Sequence, residues 1–144
     1  MKELITDIEI NASAENVWKA LMDFENYPSW NPFVREIKGG TAVGDRLKVF
    51  LKPSGGSGMT MTPKVVKNEP NLEFVWLGNL FVSGIFDGRH SFRIEPINGN
   101  NVRFVQSEQF SGILVPLLWM FIGKSTRRGF EEMNSALKKL AEDK

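Results

Sequence analysis

The sequence predicts an α+β fold: an antiparallel sheet with one long C-terminal helix. Stretches of two-residue alternation recur through the middle of the chain, separated by short breaks rich in Gly, Pro and Asn. Helical periodicity appears after the first strand and again over residues 116–141. The links between strands are short, whereas a parallel crossover needs about a dozen residues or more. Antiparallel neighbours follow, with helices outside the run of strands.

The elements follow in order. Residues 3–10 alternate, with Ile8 and Ile10 on one face, and read as a strand. Ser13 is placed to N-cap a helix through Asp23, with Val17, Trp18 and Leu21 at helical spacing. Pro28 and Pro32 restrict the stretch Tyr27-Pro28-Ser29-Trp30-Asn31-Pro32-Phe33 to a short helix or turn. Strands are expected over 34–38, 45–52, 59–67, 72–77, 84–95 and 101–110. Residues 53–58 form a turn-rich hairpin loop. The last helix begins near Pro116, a residue suited to a first turn. Its inner face is Leu118, Ile122, Thr126, Gly129, Met133, Leu137 and Leu140. Small residues in the middle of that face allow either close approach to the sheet or room for a ligand. No repeat or linker is visible, so residues 1–144 are expected to form one domain.

Composition narrows the function. A net charge of +1, with bases scattered among acids, recruits neither nucleic acid nor an anionic membrane. The chain has no Cys, which excludes disulfides and thiolate chemistry and suits a reducing compartment. Residues 1–10 lack the continuous apolar run of a signal peptide, and the expected location is cytoplasmic. The apolar run 113–122 is shorter than the roughly 20 residues that span a bilayer, so no integral membrane segment is expected. It reads as a helix start buried by the rest of the domain.

The most informative strand carries Val102, Phe104, Gln106, Glu108 and Phe110 on one face. Three of the five are apolar, so that face points inward, yet an amide and a carboxylate sit in it. A buried carboxylate is costly without partners, which marks a site or a wet cavity. The preceding strand presents Phe86, Gly88, His90, Phe92 and Ile94 inward. Both inward sets are even-numbered, so directly opposed residues must sum to an even number. A three-residue loop Ile97-Asn98-Gly99 satisfies this and pairs His90 with Gln106, with Glu108 diagonal to His90. Moving the loop by one residue at each strand puts Glu108 opposite instead. His90 and Glu108 are the candidate catalytic pair, and an altered His90 pKa from the nearby carboxylate is expected. The same residues can orient the polar end of a ligand, or satisfy one another with a hydrogen bond.

Other motifs are absent. One His and no Cys leave no zinc site, and no Gly-x-Ser-x-Gly elbow occurs. The Gly55–Gly58 loop lacks the Lys of a phosphate loop. No metal and no cofactor are expected. Aromatic residues are abundant, with Trp30, Phe33, Phe74, Trp76, Phe92, Phe104, Phe110 and Trp119 at inward or lid positions. Met59 and Met61 share an inward face and suit an adaptable apolar wall.

The order strand, helix pair, six strands, long helix resembles the START-like helix-grip superfamily, also called SRPBCC, in its polyketide cyclase/dehydrase-like branch. The segments that carry the likeness are Ile8-Glu9-Ile10-Asn11-Ala12-Ser13-Ala14-Glu15-Asn16-Val17-Trp18, the Tyr27-to-Phe33 stretch, Gly88-Arg89-His90-Ser91-Phe92 and Glu108-Gln109-Phe110-Ser111-Gly112. The resemblance implies a curved antiparallel sheet of about seven strands wrapped around the C-terminal helix. It implies a cavity between them, with Trp30, Phe33, Trp76, His90, Phe92, Gln106, Glu108, Phe110 and Trp119 around it. Adding the inward Met59, Met61, Phe74, Phe104 and Ile122 completes the candidate ligand-binding set. The expected function is binding of a small apolar or aromatic ligand, lipid-, quinone- or polyketide-like. The alternatives are a cyclase or dehydratase using His90 and Glu108, and a chaperone-like protein-interaction module. Oligomeric state is left open.

Overall fold

Ser13 sets the first boundary: its Oγ accepts a hydrogen bond from the Asn16 N–H at 3.1 Å and closes strand β1 (Lys2–Ile10) off from helix α1 (Ala14–Met22). The computed structural model describes residues 1–53, 55–80 and 82–143, so Ser54 of the expected 53–58 turn lies outside the described residues. A 3-10 turn (Phe24–Asn26) leads into α2 (Tyr27–Trp30), with Pro28 in its first turn. Strands β2 (Val34–Gly39), β3 (Leu47–Leu51), β4 (Met59–Met61), β5 (Lys64–Glu69), β6 (Glu73–Leu80), β7 (Phe86–Asn98) and β8 (Asn101–Ser111) follow, and α3 (Val115–Glu142) ends the chain.

The strands pair antiparallel in two sheets, of order β1-β8-β7-β6-β5 and β2-β3-β4. An isolated bridge between Arg46 and Lys64 joins them. The expected strand over 59–67 is two strands in different sheets. Pro63 lies between them and has no N–H for a ladder, so the chain changes sheets there. The class is as predicted, with eight strands among the described residues where the sequence suggested seven.

The β7–β8 register differs from the first choice. Asn98 pairs with Asn101 around a two-residue turn, and a bulge between Pro96 and Asn98 restores the parity that the inward faces require. His90 is therefore opposite Glu108, and Gln106 is opposite Phe92. This is the shifted alternative.

Helix α3 lies against β1, with further contacts to α1 and β8. Gly129, Phe130, Met133, Asn134 and Leu137 are buried on its inner face, close to the predicted stripe. A Cβ at residue 129 would overlap the Phe33 ring, coming within 2.7 Å of Cε1, so Gly129 permits the close approach. The core beneath includes Leu4, Ile10, Leu21, Phe74, Trp76, Phe92, Ile94, Phe104 and Phe130. Each such side chain contributes about 1.5–3 kcal/mol on burial. The start of α3 departs from expectation. Val115, Leu118, Trp119 and Ile122 turn inward, but Ile113, Leu117, Met120 and Phe121 are exposed, Met120 by 80%. The apolar run serves an inner and an outer face at once, so it is only half buried.

Candidate functional site

Between the two sheets and the first turns of α3 lies a cavity of about 380 Å³. Phe33, Leu51, Met59, Met61, Phe86, Phe110, Leu118 and Ile122 make most of its wall. Asn31 holds Phe33 in place, its Oδ1 accepting from the Phe33 and Val34 N–H groups at 2.9 Å each. Two glycines shape the wall. At Gly78 a Cβ would collide with the Met61 methyl, and at Gly88 with Glu108 Oε2. Each side chain thus occupies the space its glycine leaves open. Ser57, Asn79, Ser125 and Thr126 add small polar groups. Glu108 is the one ionisable side chain among the described lining residues.

Of the residues expected around a ligand, Phe33, Met59, Met61, Glu108, Phe110 and Ile122 line this cavity. Trp119 stands behind Phe110, with ring centroids 5.3 Å apart. Trp30 packs against Tyr27 at 5.1 Å. Phe74, Trp76, Phe92 and Phe104 are core, and His90 and Gln106 lie buried outside the lining. Sequence reasoning missed Phe86, Leu51, Leu118, Asn79 and the two glycines as wall residues. Phe86 and Leu118 carried a usable signal, since both occupy predicted inward positions.

His90 is enclosed by aromatic rings: Phe92 stacks on it at 4.4 Å, and Phe130 and Trp76 lie at 4.8 and 4.9 Å. Its polar neighbours form a hydrogen-bond chain whose direction is fixed at one end. Thr6 Oγ1 is 2.9 Å from the Gln106 main-chain carbonyl, which has no proton, so Thr6 donates. The Thr6 oxygen then accepts from Asn134 Nδ2 at 2.9 Å. Asn134 thereby turns Oδ1 toward Gln106 Nε2, 2.7 Å away. That leaves Gln106 Oε1 facing His90 Nε2 at 2.9 Å, and His90 must donate. The imidazole carries its proton on Nε2 and shows a lone pair at Nδ1. A second proton is resisted by burial, which lowers the His90 pKa from 6.5 to about 4 against the opposing pull of the Gln106 hydrogen bond. The expected shift exists, but its leading cause is desolvation, not the Glu108 charge.

Glu108 Oε1 is 3.5 Å from His90 Nδ1, and the carboxyl makes no hydrogen bond among the described residues. Its side chain is 12% exposed. Burial raises its pKa from 4.5 to about 8, so it is mostly un-ionised at neutral pH. A neutral imidazole beside a neutral acid is the mutually consistent pairing, because an ionised carboxylate would face the Nδ1 lone pair. The described residues contain no cluster of His, Cys, Asp or Glu able to hold a metal. Among them no helix is long and apolar enough to cross a membrane.

Solved structures share the fold. The Zhui aromatase/cyclase from Streptomyces sp. R1128 is 15% identical with a TM-score of 0.79, over 98% of this chain and 93% of that one. A START superfamily protein from Mycobacterium smegmatis is 18% identical with a TM-score of 0.70, covering 96% of this chain and 98% of its own. The di-domain ARO/CYC BexL from the BE-7585A biosynthetic pathway is 15% identical with a TM-score of 0.77; 99% of this chain aligns with 47% of that protein, so the chain spans about half its length. No curated protein matches this chain by sequence. The sequence model described as polyketide cyclase / dehydrase and lipid transport matches residues 1–142, and the chain belongs to that family.

Proposed function

We propose that this protein binds a small hydrophobic or aromatic ligand, lipid-, quinone- or polyketide-like, in the cavity between the sheets and α3. The observation that carries this reading is a space of about 380 Å³ with apolar walls and a single carboxyl group. Such a site draws its affinity from apolar burial, about 25 cal/mol per Å², less the cost of immobilising the ligand. One polar group among apolar walls fixes orientation. The family description, which joins cyclisation and lipid transport, agrees with a site built to enclose an apolar molecule.

The test is to fill the cavity. Ile122→Trp places an indole where the ligand would lie. Titration with 2-acetylnaphthalene should show at least a tenfold loss of affinity in this variant, with circular dichroism unchanged. Equal ketone affinity in both proteins refutes the cavity as the binding site. A cyclase or dehydratase reading is favoured by one observation, the Glu108 carboxyl in the cavity wall, where burial raises its pKa toward a range that suits general acid chemistry. His90 would act there only through Glu108, since it lies outside the cavity lining.

A further inference from the structure

We propose that the cavity selects an uncharged ligand by an oxygen acceptor, with Glu108 donating the proton, and that Thr6, Asn134 and Gln106 are positioning residues that maintain this donor by fixing the tautomer of His90. The proposal rests on the ligand-binding reading above and adds the charge and polarity of the ligand to it.

The direction of the hydrogen-bond chain is the starting point. It begins at a main-chain carbonyl and leaves His90 with Nε2 committed to Gln106. The face turned to Glu108 is therefore an acceptor, and it offers a carboxylate nothing. The groups facing Glu108 from its neighbours agree. Leu4 is its opposite residue on β1, and His90 is its opposite residue on β7. From α3 the lining contributes Leu118, Ile122, Ser125 and Thr126, and no Lys or Arg occurs among the described lining residues. An ionised Glu108 would be a buried charge without a partner, so the acid form is favoured. A carboxylic acid in that position is a hydrogen-bond donor, and its Oε2 side fills the notch over Gly88 at the cavity wall. At 3.5 Å, His90 Nδ1 is a poor acceptor for that proton, and a ligand oxygen in the cavity supplies a better one. A ligand carboxylate would bring a charge into the cavity with no Lys or Arg among the described lining residues to balance it.

Three probes of one shape separate the possibilities: 2-acetylnaphthalene, 2-naphthoate and 2-(aminomethyl)naphthalene. At pH 7 the ketone should bind tightest, with naphthoate at least tenfold weaker. Ketone affinity should fall about thirtyfold between pH 7 and 9.5 as Glu108 ionises, and this pH dependence should vanish in Glu108→Gln. NMR titration of the Glu108 carboxyl in the ligand-free protein should give a midpoint near 8, and Asn134→Leu, which leaves the Gln106 amide held only by its longer 3.4 Å bond to the Phe130 carbonyl, should move it down. The amine binding tightest at pH 7, or ketone affinity flat to pH 9.5, overturns the proposal. Tight ketone binding with an ordinary carboxylate midpoint overturns the charge state alone. If none of the probes binds, the cavity reading itself fails and the ligand class falls with it.

Discussion

Replacing Glu108 by Gln should make this protein more stable, and increasingly so as the pH rises. In the unfolded chain the carboxyl titrates at its ordinary value of 4.5, while in the folded protein burial holds it un-ionised up to about 8. The folded pKa lies above the unfolded one, so the favourable contribution is complete below pH 4.5 and is lost between 4.5 and 8. Each pH unit in that window costs about 1.4 kcal/mol. Native protein should therefore lose about 2 kcal/mol of Glu108-linked stability between pH 6 and 8, the slope halving as the pH reaches the folded pKa. Glu108→Gln, which keeps the shape and a donor, should not. His90 acts in the opposite sense, since its folded pKa is below the unfolded one and its contribution is lost as pH falls from 6.5 to 4. Between pH 4.5 and 6.5 the two slopes cancel, and stability should be level there. Urea unfolding at half-unit steps from pH 4 to 9, native against variant, measures both limbs. Parallel curves for the two proteins from pH 6 to 8 would refute the buried-acid reasoning, because they would mean that Glu108 ionises normally in the fold.

Gln106→Leu should cost about 1–3 kcal/mol in urea unfolding, because it strands the His90 Nε2–H and the Asn134 Oδ1 in the core. Gly129→Ala gains about 1 kcal/mol of helix propensity but forces Phe33 aside, and overpacking of that kind costs about 1–3 kcal/mol. The net should be a lower thermal midpoint, and weaker binding of 2-acetylnaphthalene, since Phe33 has the cavity on its free side.

Elements with strong period were legible from sequence. The two inward faces of β7 and β8 were visible as alternation, and α3 as a stripe ending in Met133, Leu137 and Leu140. Register was not, because a bulge at one end of a hairpin changes every pairing while leaving the alternation intact. Pro63 announced the break between β4 and β5, but the flanking alternation masked it. In the site, Gln106 and Glu108 stood out as polar residues in an apolar face. Thr6 sends the same signal among Leu4, Ile8 and Ile10 on β1, yet its meaning depends on Asn134, 128 residues away. The cavity was least legible, since Gly78 and Gly88 define it by what they lack. Periodicity tells which side of a strand faces inward and says nothing of how full the interior is.

The chain's change of sheet at Pro63 has a mechanical consequence. Met59 and Met61 on β4 and Gly78 and Asn79 on β6 meet across the cavity wall, but they belong to different sheets. Along that line the wall is closed by side chains, above all by the Met61 methyl resting on Gly78. A molecule passing there displaces a thioether with three rotatable bonds and leaves both hydrogen-bonded ladders whole. The seam separates strength from access: the ladders on either side hold the barrel-like wall together, while one unbranched side chain sets how wide the gap between them stands.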